Sequence, residues 1–208
     1  MIDKFCTFLV NRIRNEMPEV DDERAEIIEY GLQLIIGEIP KFFITLAIAY
    51  LIGVFKLTLL TLIILIPYRT VSGGFHLKTH IGCIVTTTLF YCGVAFLAKY
   101  VIIPQNVEYI LALCIWIFGM TMIRLYAPAD TENVPILRKS ERKQKRILSY
   151  IIFTLGIILA IIIHNTVVSN ILLFGYLLQS VMITRIAYKL TGSKYGYEVY
   201  EETAQINN

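Results

Sequence analysis

Between two apolar segments lies Arg69-Thr-Val-Ser-Gly-Gly-Phe-His-Leu-Lys-Thr-His-Ile-Gly-Cys83, a polar stretch that combines a glycine pair, two histidines and a cysteine. The working nucleophile of a cysteine is its thiolate, and an imidazole with nearby cations generates it. His76, His80, Arg69 and Lys78 supply those groups, and a helix starting near Cys83 adds the favourable end of a helix dipole. The Gly73-Gly74 backbone can present amide donors to a developing oxyanion. The same residues also read as a metal site: His76, His80 and Cys83 form HxxxHxxC, with histidines one turn apart as in many zinc sites. No HExxH is present, and no acidic residue falls within the stretch to act as base or fourth ligand. A loop with incidental histidines is the plain alternative to both chemistries.

Spacing constrains how these groups can meet. On an unbroken helix His76 and Cys83 share a face but lie two turns apart, about 10 Å along the axis, which is too far for a hydrogen bond. The cysteine side chain leans back toward the helix N-terminus, yet contact still requires a break in the backbone, which Gly73 and Gly74 can provide. His80, three residues before Cys83, is the better-placed neighbour on a regular helix. Spacing alone does not choose between the two histidines.

The elements that hold this stretch are those of a membrane bundle. Of 208 residues, 56% are hydrophobic and only 17% charged, with a mean hydropathy of +0.64, the composition of a polytopic membrane protein with one membrane domain over 1–208. The net charge of +3 is small and its basic residues cluster in loops. Membrane topology explains that pattern and nucleic-acid binding does not. Cysteines at 6, 83, 92 and 114 form no paired framework or CxxC motif, and Cys92 and Cys114 read as small core residues. The N-terminus opens with mixed charge and does not resemble a cleavable signal peptide.

In chain order, Ile2, Phe5, Leu9, Val10, Ile13 and Met17 recur at helical spacing, predicting an amphipathic helix within 1–26 that lies on the membrane face or packs as a cytoplasmic helix. Asp21 or Asp22 caps the next helix. Six transmembrane or partly re-entrant helices follow. The first covers about 32–55 and contains Glu38, Pro40 and Lys41, with the charges placed to pair or to face a polar cavity. The second, Leu57 to Tyr68, has about twelve apolar residues, or ~18 Å of helix against a ~30 Å hydrocarbon core, so its flanks, a tilt or a re-entrant path must make up the length. The others run from Ile81 to about Val101, Val107 to Ile123, Ile147 to Ile163 and Val167 to about Ile186. His164, in an outer turn, reads as a solvated histidine.

The connection 124–146 holds Arg124, Arg138, Lys139, Arg142, Lys143, Lys145 and Arg146, whereas the turns near 56, 104 and 165 are nearly free of basic residues. The excess of positive charge places that connection in the cytoplasm. With six crossings, both termini and the 69–83 stretch then fall on the cytoplasmic side, where Cys83 stays a free thiol. Few polar residues line the spans beyond Glu38 and Lys41, which argues against a peptide transporter.

Arg69, Gly74, His76 and Cys83, with Tyr126-Ala-Pro-Ala129 opening the basic loop, resemble the AgrB family of bacterial accessory gene regulator proteins, and the likeness covers nearly the whole chain. That resemblance implies an all-α integral membrane cysteine endopeptidase of the bacterial cell membrane that processes an AgrD-like quorum-sensing pro-peptide. It implies a homodimer, with Cys83 as nucleophile, His76 as base, and Arg69 and Gly74 at positions important for activity; Gly73 supports them as part of the glycine pair, and no cofactor is expected. A zinc enzyme using His76, His80 and Cys83 and a peptide transporter are the alternatives. Some members carry lysines after the Tyr-Ala-Pro-Ala segment; here Thr131-Glu132-Asn133-Val134 precede Pro135, and precursor contacts pass to Arg138 or Lys139. Ser72, Glu38 and Asp130 are candidates for the group that orients His76.

Overall fold

The computed structural model describes residues 2–17, 19–77, 79–132 and 135–200. Their regular structure is helical, with one isolated bridge between Gly73 and Ala129. The first helix, α1 (Ile2–Glu16), turns Cys6 and Val10 inward, and Val10 packs on Val20 and Ala25 at the start of α2, while Phe5 and Phe8 face outward. It is thus both packed and amphipathic. Helix α2 (Asp22–Leu51) is capped by Asp21, which accepts a hydrogen bond from the Arg24 amide at 2.8 Å, and passes through Pro40 without ending. Helix α3 (Phe55–Ser72) gains its length from both flanks of the short apolar run, reaching 18 residues, or about 27 Å.

Helix α4 (His80–Tyr100) begins after Thr79, whose hydroxyl accepts the Gly82 amide, and α5 (Gln105–Tyr126) begins after Pro104. Helix α6 (Lys139–Ile162) starts well inside the basic run, so much of what reads as a loop is the first two turns of a helix. Helix α7 (Thr166–Met182) is capped by Asn165. The expected last span does not continue to Ile186. It breaks at Ile183 and Thr184, and α8 (Arg185–Thr191) departs at 69°, its start capped by the Thr184 hydroxyl.

Among the described residues four helices, α3 to α6, are long and apolar enough to cross a membrane, or five if the bent α7–α8 pair counts as one span. The chain is therefore an all-α membrane protein, as expected. Cys92 is a core residue as expected, reached by the Thr58 hydroxyl, but Cys114 is exposed on the outer face of α5. Cys83, Cys92 and Cys114 are free thiols.

The centre of the bundle is a cluster of three rings from three helices: Tyr68 of α3 lies 5.4 Å from Phe153 of α6 and 5.1 Å from Tyr176 of α7. Two glycines make room for them, since a Cβ at Gly119 would fall within the Phe153 ring and one at Gly156 within the Tyr176 ring. Gly156→Ala is expected to lower stability by about 1–3 kcal/mol through overpacking. An unchanged thermal unfolding midpoint in detergent would contradict it.

Candidate active site

The site starts where α3 stops. Gly73 (φ 77°) and Gly74 (φ 143°) take backbone conformations that favour glycine, and they turn the chain out of the helix. The turned segment pairs with the Tyr126-Ala-Pro-Ala129 stretch: the Gly74 amide donates to the Ala129 carbonyl at 2.9 Å, and the Ala129 amide donates to the Ser72 carbonyl at 2.8 Å. A Cβ at Gly73 would strike the Ala129 carbonyl, and one at Gly74 would lie 3.3 Å from the Arg69 guanidinium. The Gly73 amide donates to the Arg69 carbonyl. Both glycine amides are therefore already engaged, and what the glycines supply here is backbone shape rather than the oxyanion donors the sequence suggests.

Arg69 and Gln179 fix the turn from inside. Gln179, fully buried on α7, donates to the Gly73 carbonyl at 2.7 Å and to the Ser72 hydroxyl at 3.1 Å, and accepts from Arg69 at 3.1 Å. Arg69 also donates to the Phe75 carbonyl at 3.4 Å, immediately before His76. On the other side the Ser193 hydroxyl donates to the His76 carbonyl at 2.8 Å. Ser193 follows α8 in a C-terminal strap that also holds the Ala127–Thr131 segment. Tyr188 donates to the Ala129 and Asp130 carbonyls at 2.9 and 3.0 Å, the Tyr197 amide donates to Asp130 at 3.1 Å, and the Arg142 guanidinium sits 4.5 Å from the Tyr197 ring centre.

With the backbone so held, the His76 ring folds back toward the first turn of α4, and its Nδ1 lies 3.9 Å from the Cys83 sulfur. The two side chains that a continuous helix would separate are brought together by the glycine turn. Part of the imidazole is open to the cavity, but surrounding protein removes much of its hydration. That desolvation, followed by the nearby Arg69 and Lys41 cations, pushes His76 down to about 4 against a partial opposing effect of Glu38. At neutral pH the ring is uncharged, and with Nδ1 facing the thiol it can accept a proton there. Because the unfolded chain binds this proton more readily, stability falls as pH drops from about 6.5 towards 4. His76→Gln should remove that part of the decline, which unfolding measured across this window will show.

A cavity of about 580 Å³ opens onto the pair. Glu38 and Lys41 of α2, Arg69, Asp130 and Lys145 give it a charged mouth, and Leu62, Ile66 and Tyr91 lend it an apolar wall. Lys41, 7% exposed, hydrogen-bonds Glu38 and lines the cavity together with Cys83, within electrostatic reach of its sulfur. Both expectations for the pair are met at once, because the two charges bond each other and also line a cavity. The side chain of His80 and all of Lys78 lie outside the described residues. Among the described residues no group of three His, Cys, Asp or Glu side chains could hold a metal ion.

Three candidates for orienting His76 are committed elsewhere. Ser72 is tied to Gln179 and Glu38 to Lys41. Asp130 accepts the Ile136 amide at 2.9 Å and the Arg142 guanidinium at 3.0 Å through Oδ2, while its buried Oδ1 has no partner. Among the described residues only Cys83 is hydrogen-bonded to the His76 ring. The basic run also divides. Arg142 and Arg146 bind the Pro128 and Ala127 carbonyls, Lys145 pairs with Glu141 at 3.0 Å, and Arg138 and Lys139 are exposed at the start of α6. Sequence reasoning missed Gln179 altogether. An amide inside an apolar span was the available signal, since such a group must find a partner.

The geometry can now be set beside known proteins. The family model described as Accessory gene regulator B matches residues 6–183. Accessory gene regulator protein B of Staphylococcus aureus (strain JH9) is 32% identical over 185 residues, covering 89% of this chain and 93% of that protein. A putative AgrB-like protein of Listeria monocytogenes (strain ATCC BAA-679 / EGD-e) is 29% identical over 188 residues, covering 87% and 88% respectively. No solved structure matches. With the family model matched over residues 6–183 and a relative 32% identical over 89% of the chain, this chain belongs to the accessory gene regulator B family.

Proposed function

We propose that the protein is a membrane cysteine endopeptidase that removes the C-terminal tail of an AgrD-like autoinducer pro-peptide. The observation that carries this is the 3.9 Å approach of His76 Nδ1 to Cys83 Sγ inside a cavity large enough for a peptide segment. The thiol proton passes to Nδ1 as sulfur attacks a backbone carbonyl of the precursor. The C–N bond then breaks, the proton moves from Nδ1 to the departing amine, and the autoinducer segment remains as a thioester on Cys83. An internal cysteine or serine of that segment attacks the thioester carbonyl, closing a thiolactone or lactone ring and returning the proton to Cys83. Exclusion of water by the apolar wall favours ring closure over hydrolysis.

In this proposal the 69–83 stretch and both termini face the cytoplasm, in keeping with the basic turns at the start of α6. The precursor approaches along the bilayer as an amphipathic helix, meets the outward Phe5 and Phe8 of α1, and sets an acidic tail against Arg138 and Lys139. A homodimer is part of the proposal on family grounds. The test is to mix purified protein with synthetic precursor, quench in acid and weigh the intact enzyme. The expected product is Cys83 carrying the tail-less precursor as an adduct that hydroxylamine removes. Tail release with no adduct at Cys83, and with sensitivity to chelators, would overturn the assignment.

A further inference from the structure

A cysteine that attacks a peptide must carry negative charge on sulfur inside a cavity partly closed to water, and that charge needs a counter-ion. We propose that Lys41 is the cation of this centre, holding the Cys83 thiolate directly, with Glu38 as the positioning residue that aims its ammonium. The inference rests on Cys83 being the nucleophile and adds a third group to the Cys83–His76 pair.

Lys41 lies in the middle of α2, on a different helix from either of those groups. A buried ammonium is costly unless partnered, and it has three N–H donors to place. One goes to Glu38, a turn earlier, whose side chain is 57% exposed. That bond alone does not require Lys41 to be buried, because an i,i+3 pair forms as readily on an outer face. What burial gains is a place on the wall of the cavity that Cys83 of α4 also lines, with the ammonium within electrostatic reach of the sulfur. A neutral thiol is a weak acceptor, so a desolvated cation facing the same cavity is repaid when the sulfur is charged.

The other cations at the cavity are otherwise engaged. Arg69 is held by Gln179 and the Phe75 carbonyl, and Lys145 pairs with Glu141. His76 stands 3.9 Å away and is uncharged in the resting site at neutral pH, which leaves the standing positive charge beside the sulfur to Lys41. The balance is simple. The proton leaves Sγ for His76 Nδ1, Lys41 stays protonated and faces the charge on sulfur, and formation of the S–C bond moves that charge to the carbonyl oxygen. Cleavage of the C–N bond, with the proton passing from Nδ1 to the amine, ends it. Glu38 keeps the cluster close to neutral while the sulfur is uncharged.

The test measures Cys83 itself and needs no precursor. Full-length protein in detergent is treated at pH 7 with iodoacetamide or with the anionic iodoacetate, and modification of the Cys83 peptide is timed by mass spectrometry. Relative to the unmodified chain, Lys41→Met and Lys41→Gln should each slow alkylation of Cys83 about tenfold or more and remove most of any preference for the anionic reagent. Lys41→Arg, which keeps the charge, should recover much of the rate, and Glu38→Gln should show an intermediate loss of about threefold. Unfolding midpoints identify which neutral variants are folded. If both unfold, the Lys41→Arg and Glu38→Gln rates decide. Folded neutral variants alkylated at the unmodified rate would overturn the proposal, as would an arginine variant no faster than a folded neutral one, or, where neither neutral variant folds, Glu38→Gln at the unmodified rate. Failure here leaves the peptidase reading intact, because that reading fails separately if Cys83→Ala still processes precursor.

Discussion

Cys83→Ala will fold like the unmodified protein and release no tail from the precursor, a loss of more than about 1,000-fold, the scale seen when a covalent nucleophile is removed. Folding is spared because Cys83 sits half-exposed in the first turn of α4, where alanine is a good helix former and the thiol fills no core space. Function is lost because the sulfur beside His76 is gone, and neither Cys92, buried between α2, α3 and α4, nor Cys114, exposed on α5, takes its place. His76→Ala should cost about 100- to 10,000-fold, since it removes the proton carrier. Cleavage of synthetic precursor by purified variants checks both. A Cys83→Ala enzyme retaining even a tenth of the activity would exclude a thioester route.

Asp130→Ala is expected to destabilise the fold by about 3–5 kcal/mol, the cost of breaking a buried ion pair by removing one partner. The Asp130 side chain is fully buried, and its Oδ2 gathers the Arg142 guanidinium and the amides of Ile136 and Tyr197. Without it, a guanidinium and two amides lose their acceptor together. The damage reaches the site because the neighbouring Ala129 is the residue that pairs with Ser72 and Gly74. Asp130→Asn, which keeps an acceptor oxygen for the amides, should lose roughly half as much. Thermal unfolding in detergent measures the difference. An alanine variant as stable as the unmodified chain would mean that the Asp130–Arg142 bond does not hold this loop.

Much of this arrangement is legible in the residues. Apolar runs marked α3, α4, α5 and α7 to within a few positions, and the glycine pair marked the break that lets His76 reach Cys83. Spacing on a regular helix put His76 out of reach of Cys83, because it takes no account of the turn that Gly73 and Gly74 introduce. The start of α6 was hidden for a related reason: a run of lysines and arginines reads as a loop until the Ala127 and Pro128 carbonyls appear as acceptors for Arg146 and Arg142. Nor does sequence reveal that the expected last span breaks at Thr184, since Ile183 and Ile186 are as apolar as the helix before them. The roles of Gln179 and Ser193 depend on pairings more than 100 positions apart along the chain, which no local pattern encodes.

The strap from α8 to Tyr197 gives the order of synthesis a consequence. Cys83 and His76 leave the ribosome more than 100 residues ahead of Ser193 and Tyr197, the groups that pin the histidine backbone and the segment beside it. A nascent chain inserted as far as α7 therefore has its reactive thiol before it has a fixed partner for it, and it should be proteolytically silent. Chains stalled after residue 184 and then released should stay inert towards precursor, and a stalled chain as active as the finished one would show that the lock is dispensable.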